Sequence, residues 1–206
     1  MVTQLPKSQY SNSCGAQALR QAAFDLGVSH LPDKEIYKFQ GQSIADDSAE
    51  EAIYGISGRL LDDTMKRQLT SPKYGGYSLP DGMLAAAREL GLDGRFYCSS
   101  LLLKYYLKLC YPKEWGRASA LCPVKNSSPP KLSLNERCIH AVRREDTTAL
   151  HWLMERPDGS CYDPKDAALY KSLEQYSQSS GYSYTGVALL ICDRSAYPGG
   201  AGPVVK

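Results

Sequence analysis

The sequence predicts an α+β fold, and three observations carry that expectation. Helical periodicity dominates the first half of the 206 residues, up to Cys110. Short apolar runs between turn signals dominate the second half, from Cys138 to Cys192. No apolar run approaches the roughly 20 residues of a membrane span. Helices first and strands later point to a helical half packed on a sheet half.

The elements follow in order. Ala16, Leu19, Ala23 and Leu26 recur at helical spacing over residues 14–26, and Gly27 is a stop signal. Residues 33–69 read as helical in two or three pieces, broken near Gly41 and between Gly55 and Gly58. The acidic run Asp46, Asp47, Glu50, Glu51 suits a helix start, where negative charge meets the positive end of the dipole. A loop over 71–77 leads to a helix that begins near Ser78 and Pro80 and ends at Gly91. A short strand over 95–97 precedes a helix over 100–110. Residues 111–133, rich in Pro, Lys and Ser, read as a long loop. Strands are expected at 138–142, 149–155, 160–163 and 186–192, with a helix over 165–176. Residues 1–196 are expected to form a single catalytic domain, and 197–206 a flexible Gly/Pro tail.

Composition excludes several classes. Apolar residues are 43% and charged residues 22%, which fits a globular chain and not a disordered or collagenous one. The net charge of +2 is too small to indicate nucleic-acid binding by charge alone. Residues 1–7 lack the apolar core of a signal peptide. The seven cysteines form no C-x-x-C pair and only three histidines exist, so neither a metal site nor any cofactor is expected. Free thiols made in a reducing cytoplasm are the expected state. Lys104, Lys108, Lys113 and Arg117 interleave with Tyr105, Tyr106, Tyr111 and Trp115. This stretch reads as a solvated helix face over a core stripe of Leu102, Tyr106 and Leu109.

The chemistry concentrates in two segments. Gln9-Tyr10-Ser11-Asn12-Ser13-Cys14-Gly15 puts a cysteine in the first turn of the first helix. Free N–H groups and the dipole favour a thiolate there, and the thiolate is the nucleophile. The backbone N–H of Cys14 and the side-chain amide of Gln9 are candidate donors to a developing oxyanion. The second segment runs from Leu150-His151-Trp152 to Tyr162-Asp163-Pro164. Pro157-Asp158-Gly159 between strand-like runs is a three-residue hairpin loop, with Gly159 at its left-handed position. That loop pairs Arg156 with Ser160, and counting outward sets Asp163 opposite Leu153. His151 and Asp163 are then diagonal neighbours on one sheet face, about 7 to 8 Å apart at the backbone, within reach of an imidazole–carboxylate hydrogen bond. A two-residue loop would send Asp163 to the other face. Taken singly, each residue has a plainer reading: a buried cysteine, a surface histidine, a turn aspartate. Together they supply a nucleophile, a base and a group that orients the base. His140 is the rival base, but no carboxylate is expected at hairpin spacing from it. His30, before Pro32, is expected at the surface.

Gln9…Cys14-Gly15-x-x-Ala18-Leu19 and His151-Trp152…Asp158-Gly159…Tyr162-Asp163-Pro164 resemble the papain-like cysteine peptidases. The nearest branch is that of the double-glycine leader peptidases and related bacterial effector proteases. The resemblance implies a papain-like fold with Cys14 as nucleophile, His151 as general base, Asp163 as orienting residue and Gln9 as oxyanion donor. Two departures stand out. Gln9 is five residues before Cys14, one closer than is usual in the group, and Ser13 stands where the leader peptidases often have Asp. Gln4 is a poorer oxyanion candidate, being farther away. Without a transporter after it, the domain resembles standalone effectors.

The expected function is therefore hydrolysis of an amide bond in a protein or peptide substrate by a Cys–His–Asp triad. A host-cell protein is the expected target after secretion, with no nucleic-acid partner. Glutamine deamidation uses the same acyl-enzyme chemistry and is the alternative, beside a non-catalytic binding module on the same fold.

Overall fold

In the computed structural model, which describes residues 4–34, 39–58, 76–144 and 150–194, one seven-stranded sheet organises the molecule. Its strands are β3 (Leu92–Cys98), β4 (Val124–Lys125), β5 (Glu136–Arg144), β6 (Leu150–Glu155), β7 (Cys161–Asp163), β8 (Ala168–Tyr170) and β9 (Tyr182–Asp193), in the order β4-β3-β9-β5-β6-β7-β8. All neighbours are antiparallel except β3 and β4, which run parallel. The helices are α1 (Cys14–Asp25), α2 (Asp47–Ser57), α3 (Pro80–Glu89), α4 (Leu101–Cys110), α5 (Pro112–Leu121) and α6 (Leu173–Ser180). Two short strands, β1 (Asp33–Lys34) and β2 (Phe39–Gln40), pair by themselves.

The α+β class holds, with two changes: β3, from the helical first half of the chain, joins the sheet, and its parallel pairing with β4 makes the sheet mixed rather than antiparallel. Strand alternation sorts the two faces. Ile139 and Ala141 of β5, with Trp152 and Met154 of β6, turn toward α1, α2 and α3 and form the main core with Leu19, Ile53, Met83 and Leu189. Cys138, Val142, Leu153 and Leu190 turn the other way, where Tyr176 of α6 covers Val142 and Leu153.

Several expected elements differ. Residues 33–58 hold the β1–β2 pair before the single helix α2, and 59–69 lie outside the described residues, as do 71–75 of the expected loop and the 197–206 tail. The expected long loop contains α5 and β4. Pro112 starts α5 at a position where its missing N–H costs nothing, and Arg117 pairs with Glu114 one turn earlier and with Asp81 of α3. The expected helix over 165–176 is instead β8 followed by α6. Ser172 caps α6 by accepting from the Gln175 N–H at 3.1 Å, and Gln175 Oε1 accepts from the Lys171 N–H. The stripe Leu102, Tyr106 and Leu109 is not core. These side chains are 86%, 54% and 82% exposed, and it is Leu103 and Leu107 that pack inward.

Candidate active site

Cys14 opens α1 and is buried except for 8% of its surface. The helix start is left open around it. No side chain caps the first-turn N–H groups, and no acidic residue sits in that turn. Ser13, at the N-cap, turns its hydroxyl away to donate to Glu50 Oε1 at 2.6 Å. The first-turn N–H groups thus receive no cap from Ser13 and lie at the positive end of the dipole beside the thiol.

Glu50 has a second task. Its carboxylate accepts the Gln9 N–H at 3.0 Å and so ties down the strap leading into Cys14. Burial raises its pKa, an effect that Ser13, Gln9 and Arg20 oppose. Arg20, fully buried, stands 4.0 Å from Glu50 and donates to the carbonyls of Ile44 and Ala45. The strap is also fixed to the sheet. Ser8 N–H donates to Pro164 O, and the Tyr162 hydroxyl donates to Pro6 O at 2.9 Å.

The hairpin forms in the expected register. Arg156 N–H donates to Ser160 O, Gly159 has φ +84°, Met154 pairs with Tyr162 and Glu155 with Cys161. Asp163 therefore falls on the face of His151, and His151 Nε2 lies 2.6 Å from Asp163 Oδ1. The Cys14 thiol also acts on His151, through a side-chain hydrogen bond and its charge. The structure brings Cys14, His151 and Asp163 together. Burial lowers the pKa of His151, but the bonds to Asp163 and Cys14 outweigh it and raise the value to about 9. For Asp163, burial raises the pKa, and the bond to His151 overrides it, with a net lowering. The arrangement can hold an imidazolium beside sulfur and return its proton to a leaving group.

Residues beyond the sequence reading complete the surroundings. Asp163 Oδ1 also accepts the Lys165 N–H at 2.8 Å, and the Tyr176 hydroxyl bonds to this carboxylate. Tyr182 packs against the His151 ring with centroids 5.7 Å apart. Trp152, on the opposite face, donates its indole N–H to Ser78 O at 3.0 Å. Ser78 and Trp152 press on Gly15: a Cβ there would lie 2.5 Å from Ser78 Cβ and 3.0 Å from Trp152 Cδ1. Tyr54 stands within electrostatic reach of Cys14. Burial first and the charge of Cys14 next push the Tyr54 hydroxyl up to about 12. Tyr54, Ser78, Tyr176 and Tyr182 carry no local motif, because each arrives from an element distant in sequence.

Gln9 is placed differently from its expected role. Its side-chain amide donates to Asp47 O at 2.9 Å, at the exposed start of α2. His140 corrects another expectation, for it does have a carboxylate partner: Nε2 lies 2.6 Å from Glu155 Oε2. Since β5 pairs Cys138 with Glu155 and His140 with Leu153, Glu155 is diagonal to His140, as Asp163 is to His151. The β5–β6 register supplies this offset, and residues 145–149 between the two strands lie outside the described residues. Cys138, His140 and Glu155 bring one donor each within 4.8 Å, the group among the described residues that could hold a metal ion. His30 is exposed, bonded to the Ser29 hydroxyl.

Comparison with known proteins adds to this geometry. The family model described as invasion plasmid antigen J, cysteine protease, matches residues 6–194. The chain is 27% identical to the cysteine protease IpaJ of Shigella flexneri over 206 residues, covering 92% of this chain and 78% of that protein. No solved structure matches.

Proposed function

The chain belongs to the invasion plasmid antigen J family of cysteine proteases, and from that premise we propose that it hydrolyses a peptide bond through Cys14, His151 and Asp163. The observation that carries the reading is the single His151 ring bonded to Asp163 on one side and to the Cys14 thiol on the other. In the first half-reaction the Cys14 thiolate attacks the carbonyl carbon and a C–S bond forms. The oxyanion settles at the open N–H groups of α1. Its collapse breaks the C–N bond, and His151 gives its proton to the departing amine. In the second, His151 takes a proton from water, hydroxide adds to the thioester, and the acid leaves with Cys14 again a thiolate. Asp163 positions the ring and supports its positive charge. Residues 1–196 act as one catalytic domain in this reading, and the family's description supports an effector delivered to a host cell, with a host protein as substrate.

The test compares alkylation by iodoacetamide of each cysteine against pH, read by mass spectrometry, in the wild type and in His151→Ala. Cys14 should react fastest of the seven cysteines and should lose that lead without His151. Cys14→Ala should abolish peptide hydrolysis with the fold retained. A fully active Cys14→Ala variant would refute the assignment, and release of ammonia without new peptide termini would make the enzyme a deamidase.

A further inference from the structure

We propose that α4 is an interfacial helix that docks this protein on an anionic lipid surface. The helix, Leu101–Cys110, buries none of its ten residues fully. Leu103 and Leu107 lean on the core. Leu102, Tyr105, Tyr106 and Leu109 follow the i, i+3, i+4, i+7 pattern of a helix that covers apolar ground, yet they point to solvent. At about 100° per residue these four, with Leu101 and Cys110 at the margins, span roughly half the circumference. Leu101 and Tyr105 are 63% and 69% exposed. An apolar face this broad, with no protein element over it among the described residues, is rare on a chain that meets only water.

Charge selects the occupant. Residues 95–134 contain seven Lys and Arg (Arg95, Lys104, Lys108, Lys113, Arg117, Lys125 and Lys131) against one carboxylate, Glu114. That is a surplus of six in a chain whose net charge is +2, so the other residues sum to −4. Arg117 is spent on Glu114 and Asp81, but Lys104 and Lys108, on α4 itself, border the apolar face. Lys104 Nζ bonds to Asn126 Oδ1 at 2.6 Å, Lys108 lies over the Trp115 ring and Lys125 over the Tyr97 ring. Leucines that enter the acyl boundary, tyrosines at its edge and lysines at headgroup level are what an anionic bilayer recognises. A nucleic acid would satisfy the lysines and tyrosines and leave Leu102 and Leu109 in water. The inward side of the helix leads toward the site. Leu107 shares a pocket with Leu79 and Pro80, next in sequence to Ser78, which presses on Gly15 beside Cys14. Docking would thus hold the thiol at a fixed attitude to the membrane.

The test is flotation of the full chain with vesicles of phosphatidylcholine alone and with about a third phosphatidylserine. Binding should require phosphatidylserine and weaken in high salt. Leu102→Glu with Leu109→Glu should lower the partition coefficient about tenfold or more, and Lys104→Gln with Lys108→Gln about fivefold per lysine. Circular dichroism and unchanged hydrolysis of a soluble peptide check the fold of these variants. A second measurement needs no disruptive substitution. Cys110 is the one exposed cysteine, so in a Cys14→Ala background it takes an environment-sensitive fluorophore, whose emission should shift to the blue on anionic vesicles. Absence of vesicle binding overturns the proposal, as does binding indifferent to the leucine pair or a label that stays in water. A dimer that the leucine variant dissociates, without vesicle binding, would assign the face to a second copy instead.

Discussion

Asp163 Oδ1 lies 2.6 Å from His151 Nε2 and at the same time accepts the Lys165 N–H at 2.8 Å. The carboxylate is held from behind, so the ring rather than the carboxylate yields if the pair is strained. Asp163→Asn keeps an acceptor for the Nε2–H and so keeps the tautomer, but it removes the charge that favours imidazolium. Asp163→Ala removes both. We expect Asp163→Ala to lower kcat/KM by about 10²-fold or more, and Asp163→Asn to lose less. His151→Ala should lose more than either. Steady-state kinetics on one peptide substrate rank the three.

The pKa of His151 gives a pH dependence of definite sign. Its folded value, about 9, lies above the ordinary 6.5. The stability it contributes is full below about pH 6.5 and disappears as pH rises through 9, on the order of 3 kcal/mol in all. Asp163, lowered, works in the opposite sense: its contribution is full above its ordinary value and is lost as pH falls through the folded one. Urea unfolding at pH 6, 8 and 10 should show the gap between wild type and His151→Ala closing toward high pH. The kcat/KM profile should lose its alkaline limb near pH 9, because deprotonated His151 has no proton for the leaving amine.

Gly15 is fixed by space. The Cβ of Gly15→Ala would meet Ser78 Cβ at 2.5 Å and the Trp152 ring at 3.0 Å. Trp152 is held in turn by its bond to Ser78 O, so α1 is what has to move, and Cys14 moves with it. The expected cost is about 1–3 kcal/mol in stability. Activity should fall further than that loss explains at temperatures where the variant is fully folded. Thermal melts alongside kcat measure both.

How much of this was legible depended on distance along the chain. The His151–Asp163 pair was readable because one turn, Pro157-Asp158-Gly159, sets its register. The Cys14 helix was readable because its apolar spacing and Gly27 are local. His140–Glu155 has the same diagonal geometry, but the sequence between its strands carries no turn signature comparable to Pro157-Asp158-Gly159. Tyr176 reaches Asp163 from α6, whose start is marked by the Ser172–Gln175 cap inside the 165–176 stretch that reads as one helix. The Ser- and Pro-rich residues 127–130 coloured the reading of the whole 111–133 segment and hid the Pro112 start and Trp115–Ala118 spacing of α5. The outward stripe on α4 has the pattern of a core stripe, and sequence periodicity alone does not say which face turns inward.

Glu50 is a buried carboxylate that supports the strap before Cys14 through Ser13 and the Gln9 backbone. Arg20→Met would leave it without its cation and should cost about 3–5 kcal/mol. Glu50→Ala should cost a similar amount and also free the strap, so kcat should drop even in stabilising osmolyte. Pairing the two substitutions should cost less than their sum, since neither charge is then left alone. Chemical denaturation of the double-mutant cycle measures the coupling.

Gln9 separates two accounts of the oxyanion. A side chain that donates to the intermediate should be worth about 10²–10³ in kcat. The amide here is spent on Asp47 O, at the exposed end of α2, while the Gln9 backbone N–H carries the bond to Glu50. A substitution that keeps the backbone keeps that anchor. The open N–H groups at the start of α1 need no side chain to serve the oxyanion. We therefore expect Gln9→Ala to cost less than about tenfold in kcat, with KM and melting temperature near those of the wild type. A loss of 10²-fold or more at unchanged stability would mean that the amide leaves Asp47 when substrate binds and turns to the oxyanion. In that case Asp47, at the start of α2, would mark where the strap opens.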